Sequence, residues 1–288
     1  MQSVTGPDRR GPSINTLFPG RQFAQGLWET GTAPTSSTPT PAGSYLVYPK
    51  HKLGTIRYLE DGRVFAYALN GVTALTPGQL CQTPIPSSSY NTLAVLAAAN
   101  VDSANMVKQV SVNQAGANWA QNAFQDGFMF VTDVNGNASN GAGNYYKIRS
   151  NPAANSNSSN SNWTTLTLYD DIQTSLPTTA NVSLVPSPYS QVVAWDASNS
   201  NARPAGIAPI AVAANAYFWL QVAGACGAIA NTALVQGQAI LPSNKANGAV
   251  MGANALSVNA NAAPPGIGYA INIGATGKGC FVYLTIAG

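Results

Sequence analysis

The sequence of 288 residues predicts an all-β protein, and three observations support this prediction. Short apolar runs alternate with polar residues, as in strands that bury one face and expose the other. Turns rich in glycine, proline and asparagine separate these runs. Helical periodicity is almost absent. We therefore expect β-sandwich or β-barrel-like modules with an extended N-terminal arm and little helix.

The composition favours a folded protein that associates with others. Charged residues make up 8% of the chain, far below the roughly 25% of an average soluble domain. The 12 Tyr, 8 Phe and 5 Trp argue against a disordered chain. The net charge of +3 is too small to indicate a nucleic-acid partner. A surface this neutral repels its own copies weakly, which suits a subunit of a larger assembly.

Residues 1–44 are expected to form an extended, proline-rich arm and linker. Six prolines interrupt regular structure there, and residues 30–41 have the composition of a linker. One interpretation is a disordered tail. The alternative is an arm that orders against a neighbouring molecule, and Phe18, Phe23 and Trp28 favour it because they supply apolar anchors. The first ten residues lack the apolar core of a signal peptide.

Residues 45–200 are predicted to form a β-rich middle domain that begins with a hairpin. Its two strands flank the turn Glu60-Asp61-Gly62, where Asp-Gly supplies the positive φ angles that a tight turn needs. Residues 91–101 are the best helical candidate, because they are rich in alanine and leucine. Strands are predicted at 54–59, 63–68, 79–82, 107–112, 127–132, 145–149, 164–169 and 182–185.

Residues 201–288 are predicted to form a C-terminal β module. Between Arg203 and Lys245 there is no Asp, Glu, Lys, Arg or His, so this stretch has little with which to do acid–base chemistry or to hold a metal or phosphate. Residues 207–229 are the one candidate for a membrane span, but polar residues and a proline interrupt them, and we expect no membrane partner. Strands are predicted at 216–222, 239–241, 267–273 and 280–286.

The chain lacks the residue patterns of the common hydrolases and metal sites. Its sole histidine, His51, lies between two lysines and is expected on the surface, and no Gly-x-Ser-x-Gly is present. The three cysteines have no paired spacing and are expected to be small buried apolar residues of a protein made in a reducing compartment. These three cysteines are Cys81, Cys226 and Cys280. From the absence of these patterns we expect no enzymatic activity, no cofactor and no metal.

The remaining candidate residues have structural interpretations. The acidic pairs Asp170-Asp171 and Glu60-Asp61 follow predicted strands and are expected to serve in turns, with calcium binding as the alternative. The five tryptophans are spread over five segments, which favours core or interface anchors over a single carbohydrate groove. They are Trp28, Trp119, Trp163, Trp195 and Trp219.

Two segments resemble virion proteins of tailed bacteriophages. The run from Gly54 to Tyr67 is similar to a "G-x-x-R-x-x-x-D-G-R-x-F-x-Y" opening of phage structural proteins. The C-terminal module resembles small capsid decoration domains, in which strands ending in glycine alternate with glycine turns and an "I-G-Y-A" strand. The matching runs here are Phe218–Gly224, Ala233–Leu241, Ile267–Ala270 and Phe281–Ile286. The chain is much longer than the smallest decoration proteins.

The resemblance implies a structural virion protein on the capsid surface, made in the host bacterial cytoplasm. Such a decoration, or cement, protein binds the outside of the shell and bridges major capsid subunits. Its partners would be the major capsid protein and copies of itself, with a trimer as the first expectation, and no nucleic acid. The residues expected to contact the capsid or a partner are Arg9, Arg10, Phe18, Arg21, Phe23 and Trp28.

Two alternatives stay open from the sequence. One is another virion component, such as a major capsid, tail or fibre protein, although the chain shows neither a long charged helix nor a repetitive shaft. The other is a carbohydrate-binding β protein that uses exposed aromatic rings. An enzyme acting on polysaccharides would need two carboxylates that face a cleft, and the chain has 10 acidic residues in all.

Overall fold

The computed structural model describes residues 31–32, 49–85, 87–95, 108–114, 118–133, 141–153, 163–198, 203–255 and 265–286. These residues confirm the all-β prediction. Their helical turns are short 3-10 segments such as Ser88–Tyr90. The strands, numbered in chain order, are β1 (Gly31–Thr32), β2 (Ile56–Tyr58), β3 (Val64–Leu69), β4 (Leu80–Gln82), β5 (Leu93–Ala94), β6 (Gln109–Asn113), β7 (Phe128–Asp133), β8 (Tyr145–Ser150), β9 (Trp163–Leu168), β10 (Asn181–Val185), β11 (Val193–Ala194), β12 (Pro204–Ile207), β13 (Ala216–Ile229), β14 (Ala239–Pro242), β15 (Val250–Gly252), β16 (Gly268–Ala270) and β17 (Gly279–Thr285).

The chain divides into two compact units. Unit 1 comprises Met1–Pro34, Tyr45–Pro84 and Gln191–Gly288, and unit 2 comprises Thr35–Ser44 and Ile85–Ser190. Unit 2 is therefore inserted into the sequence of unit 1. Each unit has its own sheet and its own apolar core.

Strand β13 is the centre of unit 1. Its first half pairs with β3 on one edge and with β1 and β12 on the other, and its second half pairs with β17. The sheet continues through β16, β14 and β15. A bridge between Ala230 and Val250 then brings β15 back beside the end of β13, so this part of the sheet nearly closes. The enclosed core includes Cys226, Ile240, Ile267, Val282 and Leu284.

Unit 2 is a six-stranded antiparallel sheet in the order β5-β10-β7-β8-β9-β6. The Val95–Val112 bridge joins the two terminal strands, so the sheet is nearly closed and barrel-like. Side chains alternate between the interior and the surface, as the pleat of a strand requires. Inward-facing residues such as Met129, Ile148 and Leu166 are fully buried.

The helix predicted at 91–101 is wrong where the structure describes it. Leu93–Ala94 is strand β5, which pairs with β10, and Val95 bridges Val112 of β6. Leu93 and Val95 both point into the core of unit 2, so burial on a sheet outweighs the helical propensity of an alanine-rich segment. Residues 96–101 lie outside the described residues.

The structure also groups segments differently from the predicted domains 45–200 and 201–288. Strand β4 pairs with β11 and β12, and β3 pairs with β13. The residues described in 49–84 and 191–198 therefore belong to the same sheet as the C-terminal strands. Local patterns do not show this, because the pairing joins segments more than a hundred residues apart.

The predicted linker contains one short strand. Gly31 pairs with Tyr217 and Thr32 with Ala216. The rest of the predicted arm and linker, residues 1–30 and 33–44, lies outside the described residues. The segment 207–229 contains strand β13, as its Tyr217–Val222 run predicted, and it begins at the last residue of β12. In the described part of the chain, no helix is long and apolar enough to cross a membrane.

Candidate binding surfaces

The three cysteines are buried and form no disulfide bond, as the sequence predicts. Cys81 contributes to β4, Cys226 to β13 and Cys280 to β17. Burial raises the pKa of the Cys81 and Cys226 thiols to about 12, and it raises the pKa of Cys280. Since the thiolate is the reactive form, these side chains act as packing groups.

We expect the native protein to resist thiol reagents at pH 8. A thiol with a pKa of about 12 is ionised in only about one molecule in ten thousand at that pH. Titration with a chromogenic disulfide should detect no fast-reacting thiol in the folded chain and three after denaturation. A thiol that reacts within seconds in the folded protein would contradict this assignment.

His51 is not the solvated surface residue that its lysine neighbours predict. It is half-buried, and its ring lies 5.1 Å from both Tyr67 and Trp219. Arg57 is buried with its guanidinium 4.1 Å from the Trp219 ring centroid, and Tyr67 stacks on Tyr217 at 5.6 Å. Arg57 and Tyr67 of the Gly54–Tyr67 run therefore pack on β13, which gives these two residues a structural role.

The pair Glu60-Asp61 lies in a turn, as predicted, whereas Asp170-Asp171 lies in a bend and the irregular segment that follow β9. Asp61 accepts a hydrogen bond from the Arg63 guanidinium at 2.7 Å, and this bond is the main cause that lowers the pKa of its carboxyl. Asp171 lies 4.0 Å from the Lys108 ammonium. Among the described residues, no group of three or more His, Cys, Asp and Glu is arranged to hold a metal ion.

Three of the predicted tryptophan anchors are in cores. Trp119 packs edge-on against Phe124 in unit 2. In unit 1, Trp195 donates its indole N–H to the Ser243 carbonyl at 2.7 Å, and Trp219 is fully buried. Because these three side chains are buried, they do not line an exposed carbohydrate groove.

Unit 1 has a cavity of about 400 Å³ along β13. Its walls are mainly apolar, and include Phe65, Pro77, Ile210, Ala225, Gly227 and Phe281. The cavity lies where β3 has ended: Ala223 is the last residue of β13 that pairs with β3. We call the edge of β13 from Gly224 to Ala228, together with this cavity, the edge slot.

The alternation of hydrogen bonds along β13 shows which of its backbone groups face the edge slot. Val222 accepts from Ile286, and Ala230 donates to Lys278, so the even-numbered residues between them bond to β17. The amides and carbonyls of Ala225 and Gly227 therefore point away from β17. The Gln221 side chain donates to the Ala225 carbonyl at 2.8 Å. Among the described residues, the Ala225 and Gly227 amides have no acceptor.

A second surface lies on the outside of unit 2. Phe128 and Phe130 of β7 and Tyr145 of β8 are 39%, 41% and 71% exposed, and Val185 of β10 lies beside Phe128. We call these four residues the aromatic patch. The outward row of β8 continues from Tyr145 through Lys147 and Arg149, so the patch has a basic rim.

The opposite outer surface of unit 2 is polar. Ser111 of β6 and Thr165 of β9 hydrogen-bond to each other at 2.8 Å, and Gln109 is exposed on the same side. Apolar exposure is therefore concentrated on β7, β8 and β10. Contiguous exposed apolar groups of this kind mark interaction surfaces more often than scattered ones do.

A pair of tyrosines is exposed on unit 1. Tyr269 of β16 and Tyr283 of β17 are cross-strand partners whose rings stack at 5.2 Å and 9°. Phe281, also exposed, precedes Tyr283 on the same face of β17 and borders the edge slot. These rings present a flat, uncharged surface.

The predicted contact residues Arg9, Arg10, Phe18, Arg21, Phe23 and Trp28 all lie outside the described residues. No protein-family model, curated protein or solved structure matches this chain. The surfaces above are therefore the basis for any assignment of function.

Proposed function

We propose that this protein is a structural virion component that binds the outside of a bacteriophage capsid and stabilises it by bridging major capsid subunits. The observation that supports this most is the aromatic patch, which displays three aromatic rings on a nearly closed sheet. A rigid sheet loses little conformational entropy on binding, and aromatic side chains are the commonest anchors of protein interfaces.

The charges around the patch suggest what the shell must present. Lys147 and Arg149 flank the aromatic rings, so a complementary partner surface is apolar at its centre and acidic at its edge. Complementary charge orients the approaching partner, while the buried centre supplies most of the affinity. Adhesion of this kind needs no catalytic group.

The deciding experiment is the copy number of this chain per purified virion. Quantitative mass spectrometry against the major shell protein should give a simple ratio, such as one to one, that a surface lattice can accommodate. A handful of copies per particle would assign the chain to the tail or fibres instead. Absence from purified virions would refute a structural role in the particle.

The arm residues stay part of the proposal as contacts to the shell or to a neighbouring copy. We expect a chain lacking residues 1–30 to remain folded, because the described members of both apolar cores all come from later residues. Its co-sedimentation with undecorated shells should be abolished. Unchanged binding, with an unchanged circular dichroism spectrum, would remove the arm from the interface.

Carbohydrate binding is the second candidate, and the stacked Tyr269–Tyr283 pair favours it. Exposed planar rings offer an apolar face with hydroxyl groups at the edge, which matches the two kinds of surface on a sugar ring. Binding on a glycan array that is lost in Tyr269→Ser would support this function. An array with no bound glycan would reject it.

A further inference from the structure

Unit 1 contains the same five-stranded arrangement twice. The first module has the strand order β11-β4-β12-β13-β3, and the second has the order β15-β14-β16-β17-β13, with antiparallel neighbours throughout. Strand β13 belongs to both modules, because its residues up to Ala223 pair with β3 and those from Ala223 onward pair with β17. A parallel bridge joins the ends of the two outer strands in each module, Asn70–Val192 in the first and Ala230–Val250 in the second.

The two modules also share a short sequence. Thr73–Gln79 in the first and Thr232–Gln238 in the second both read Thr-Ala-Leu-x-x-Gly-Gln. In each copy the glutamine side-chain oxygen accepts a hydrogen bond from the amide three residues earlier, at 2.8 Å for Gln79 and 3.0 Å for Gln238. The leucine of each copy bridges to the opposite loop, which joins β12 to β13 in the first module and β16 to β17 in the second. The repeat is therefore one of hydrogen bonds as well as of sequence.

A strained glycine lies at the same place in both modules. Gly206 of β12 has φ at +156° and Gly268 of β16 has φ at +148°, values that side chains rarely adopt. A Cβ on either glycine would lie closest to a carbonyl oxygen of the next strand, that of Gln221 in the first module and that of Tyr283 in the second. The two modules therefore correspond residue by residue along these strands.

The correspondence equates Gly227 of the edge slot with Tyr67 of β3. Tyr67 pairs with Trp219, and Gly227 pairs with Phe281. Trp219 and Phe281 follow the two strained glycines at the same spacing, so they occupy equivalent places. The second half of β13 is thus the counterpart of β3, and the edge slot is the counterpart of the β3 edge to which β2 pairs.

In the first module that edge is filled by β2 and the residues just before it. The Tyr67 amide donates to the Thr55 carbonyl at 2.9 Å, and the Tyr67 carbonyl accepts from the Gly54 amide at 2.8 Å. Gly227 directs both of these groups to the same side, away from β17, and among the described residues its amide has no acceptor. The edge slot is therefore the place of a strand that the second module lacks.

The preceding sequence cannot supply this strand as it does in the first module. There, β2 leads into β3 through the Glu60–Gly62 turn. The residues that precede the second half of β13 are its own first half, which continues as one strand and pairs with β3. No hairpin can therefore fill the edge slot. Open strand edges of this kind accept extended segments of partner proteins.

The missing strand also leaves an aromatic side chain uncovered. In the first module, Arg57 of β2 places its guanidinium 4.1 Å from the Trp219 ring centroid, and Trp219 is fully buried. The counterpart of Trp219 is Phe281, which is 48% exposed. A cationic side chain over an aromatic face is favourable. A strand with an arginine at the place of Arg57 would therefore cover Phe281.

The ends of the edge slot set the length and the charge of the strand. At one end Gly224 lies directly against Arg63, and at the other the Ile229 amide donates to the Gly78 carbonyl at 3.0 Å. About four residues, or about 13 Å, fit between these ends at the usual rise of a strand. The hairpin turn at the first end, Glu60–Arg63, carries two carboxylates and one guanidinium, which favours a basic side chain there.

We propose that the edge slot binds an extended, basic segment of a partner protein, which adds to β13 as an antiparallel strand and places an arginine on Phe281. The strand is antiparallel because β2 is antiparallel to β3. Gly227 and the Ala225 amide hold its backbone, and the mainly apolar cavity of about 400 Å³ receives its side chains. The inference rests on the repeated module and not on the proposed function.

A peptide copied from the first module tests this site. The probe is acetyl-Leu-Gly-Thr-Ile-Arg-amide, the sequence of residues 53–57, added to the full chain. Once the amide shift of Gly227 has reached its plateau, the Ala225 and Gly227 amides should exchange at least about tenfold more slowly than without peptide, because each gains an acceptor. The Val282 amide of β17 should exchange equally in both. Amides of Ala225 and Gly227 that do not respond to about 10 mM peptide would overturn the proposal.

Paired replacements test the contact with Phe281. Alanine in place of the peptide's arginine should weaken binding about fivefold, and so should Phe281→Ser in the protein. The two changes together should weaken binding no more than either alone, because both remove the same contact. Val235→Ser is the control, since Val235 is exposed and does not line the edge slot. Losses that add would refute the placement of the arginine on Phe281.

The chain without peptide tests whether the edge slot is open. The Ala225 and Gly227 amides of the full chain should then exchange fast, as amides without an acceptor do. Slow exchange of both amides before any peptide is added would show that the chain fills the edge slot with a segment of its own. That result would overturn the assignment of the edge slot to a partner protein.

Discussion

Gly268→Ala is expected to lower the free energy of unfolding by about 3–5 kcal/mol. Gly268 begins β16 with φ at +148°, a conformation that side chains rarely adopt. An added Cβ would also lie on the carbonyl oxygen of Tyr283 and 3.1 Å from the Cα of Leu284. The variant must therefore move β16 away from β17 or distort both strands.

Urea unfolding followed by tryptophan fluorescence measures this loss. Gly266→Ala is the matched control, two residues away, because its Cβ would have no heavy atom within 4 Å. Its effect should stay within about 0.5 kcal/mol. Equal midpoints for the two variants would show that β16 tolerates a side chain at Gly268 and that the strain argument is wrong.

Replacing the aromatic patch is expected to have the largest effect on shell binding. Phe128→Ser, Phe130→Ser and Tyr145→Ser should each weaken binding by about 2 kcal/mol, or roughly 30-fold, as central aromatic anchors do. Their side chains lie outside the core of unit 2, so the thermal midpoint should change little. Binding is measured by co-sedimentation with shells that lack this protein.

Gln109→Ala is the control for the aromatic patch. Gln109 is exposed on β6, on the polar side of the same sheet, and its replacement should leave binding unchanged. A triple patch variant that decorates shells as well as the unmodified chain would exclude the aromatic patch from the interface. Higher salt should weaken binding further if Lys147 and Arg149 meet acidic groups.

High pH should destabilise unit 1 through its buried thiols. The folded-state pKa of Cys81 and Cys226 is about 12, above the value near 8.5 of an exposed thiol. Their contribution to stability is therefore fully present below about pH 8.5 and is lost as the pH rises towards 12. Replacing Cys81 with alanine should reduce this slope in urea titrations across that range, at the cost of a small cavity.

Strand positions were predictable because most strands carry their own pattern. In β17 the order Cys280, Val282, Leu284 faces the core while Phe281 and Tyr283 face outward, and alternation alone shows this. Short strands with little pattern, such as β11, β12 and β15, were not predicted. They form because the strands beside them offer unpaired backbone groups, β4 to β11, β13 to β12 and β14 to β15.

The surfaces were harder to predict from the sequence. The run Phe128-Met129-Phe130-Val131 is apolar at every position, so it predicts a strand but not which side of it is exposed. The structure shows that Met129 and Val131 face the core. The edge slot has no local signal at all, since it exists only because β3 ends beside Ala223 while β13 continues.

Because unit 2 is inserted into the sequence of unit 1, unit 2 is completed first during synthesis on the ribosome. Ile85–Ser190 is continuous and can fold as soon as it emerges. Strands β3 and β4 are synthesised earlier, yet their partners β13 and β12 follow more than a hundred residues later. Strand β3 can pair with β2 in the hairpin at once, but its other edge and strand β4 must wait for these partners, and a folded insert helps by shortening the effective loop between the two halves. We therefore expect the folding of unit 2 to limit the rate at which unit 1 assembles.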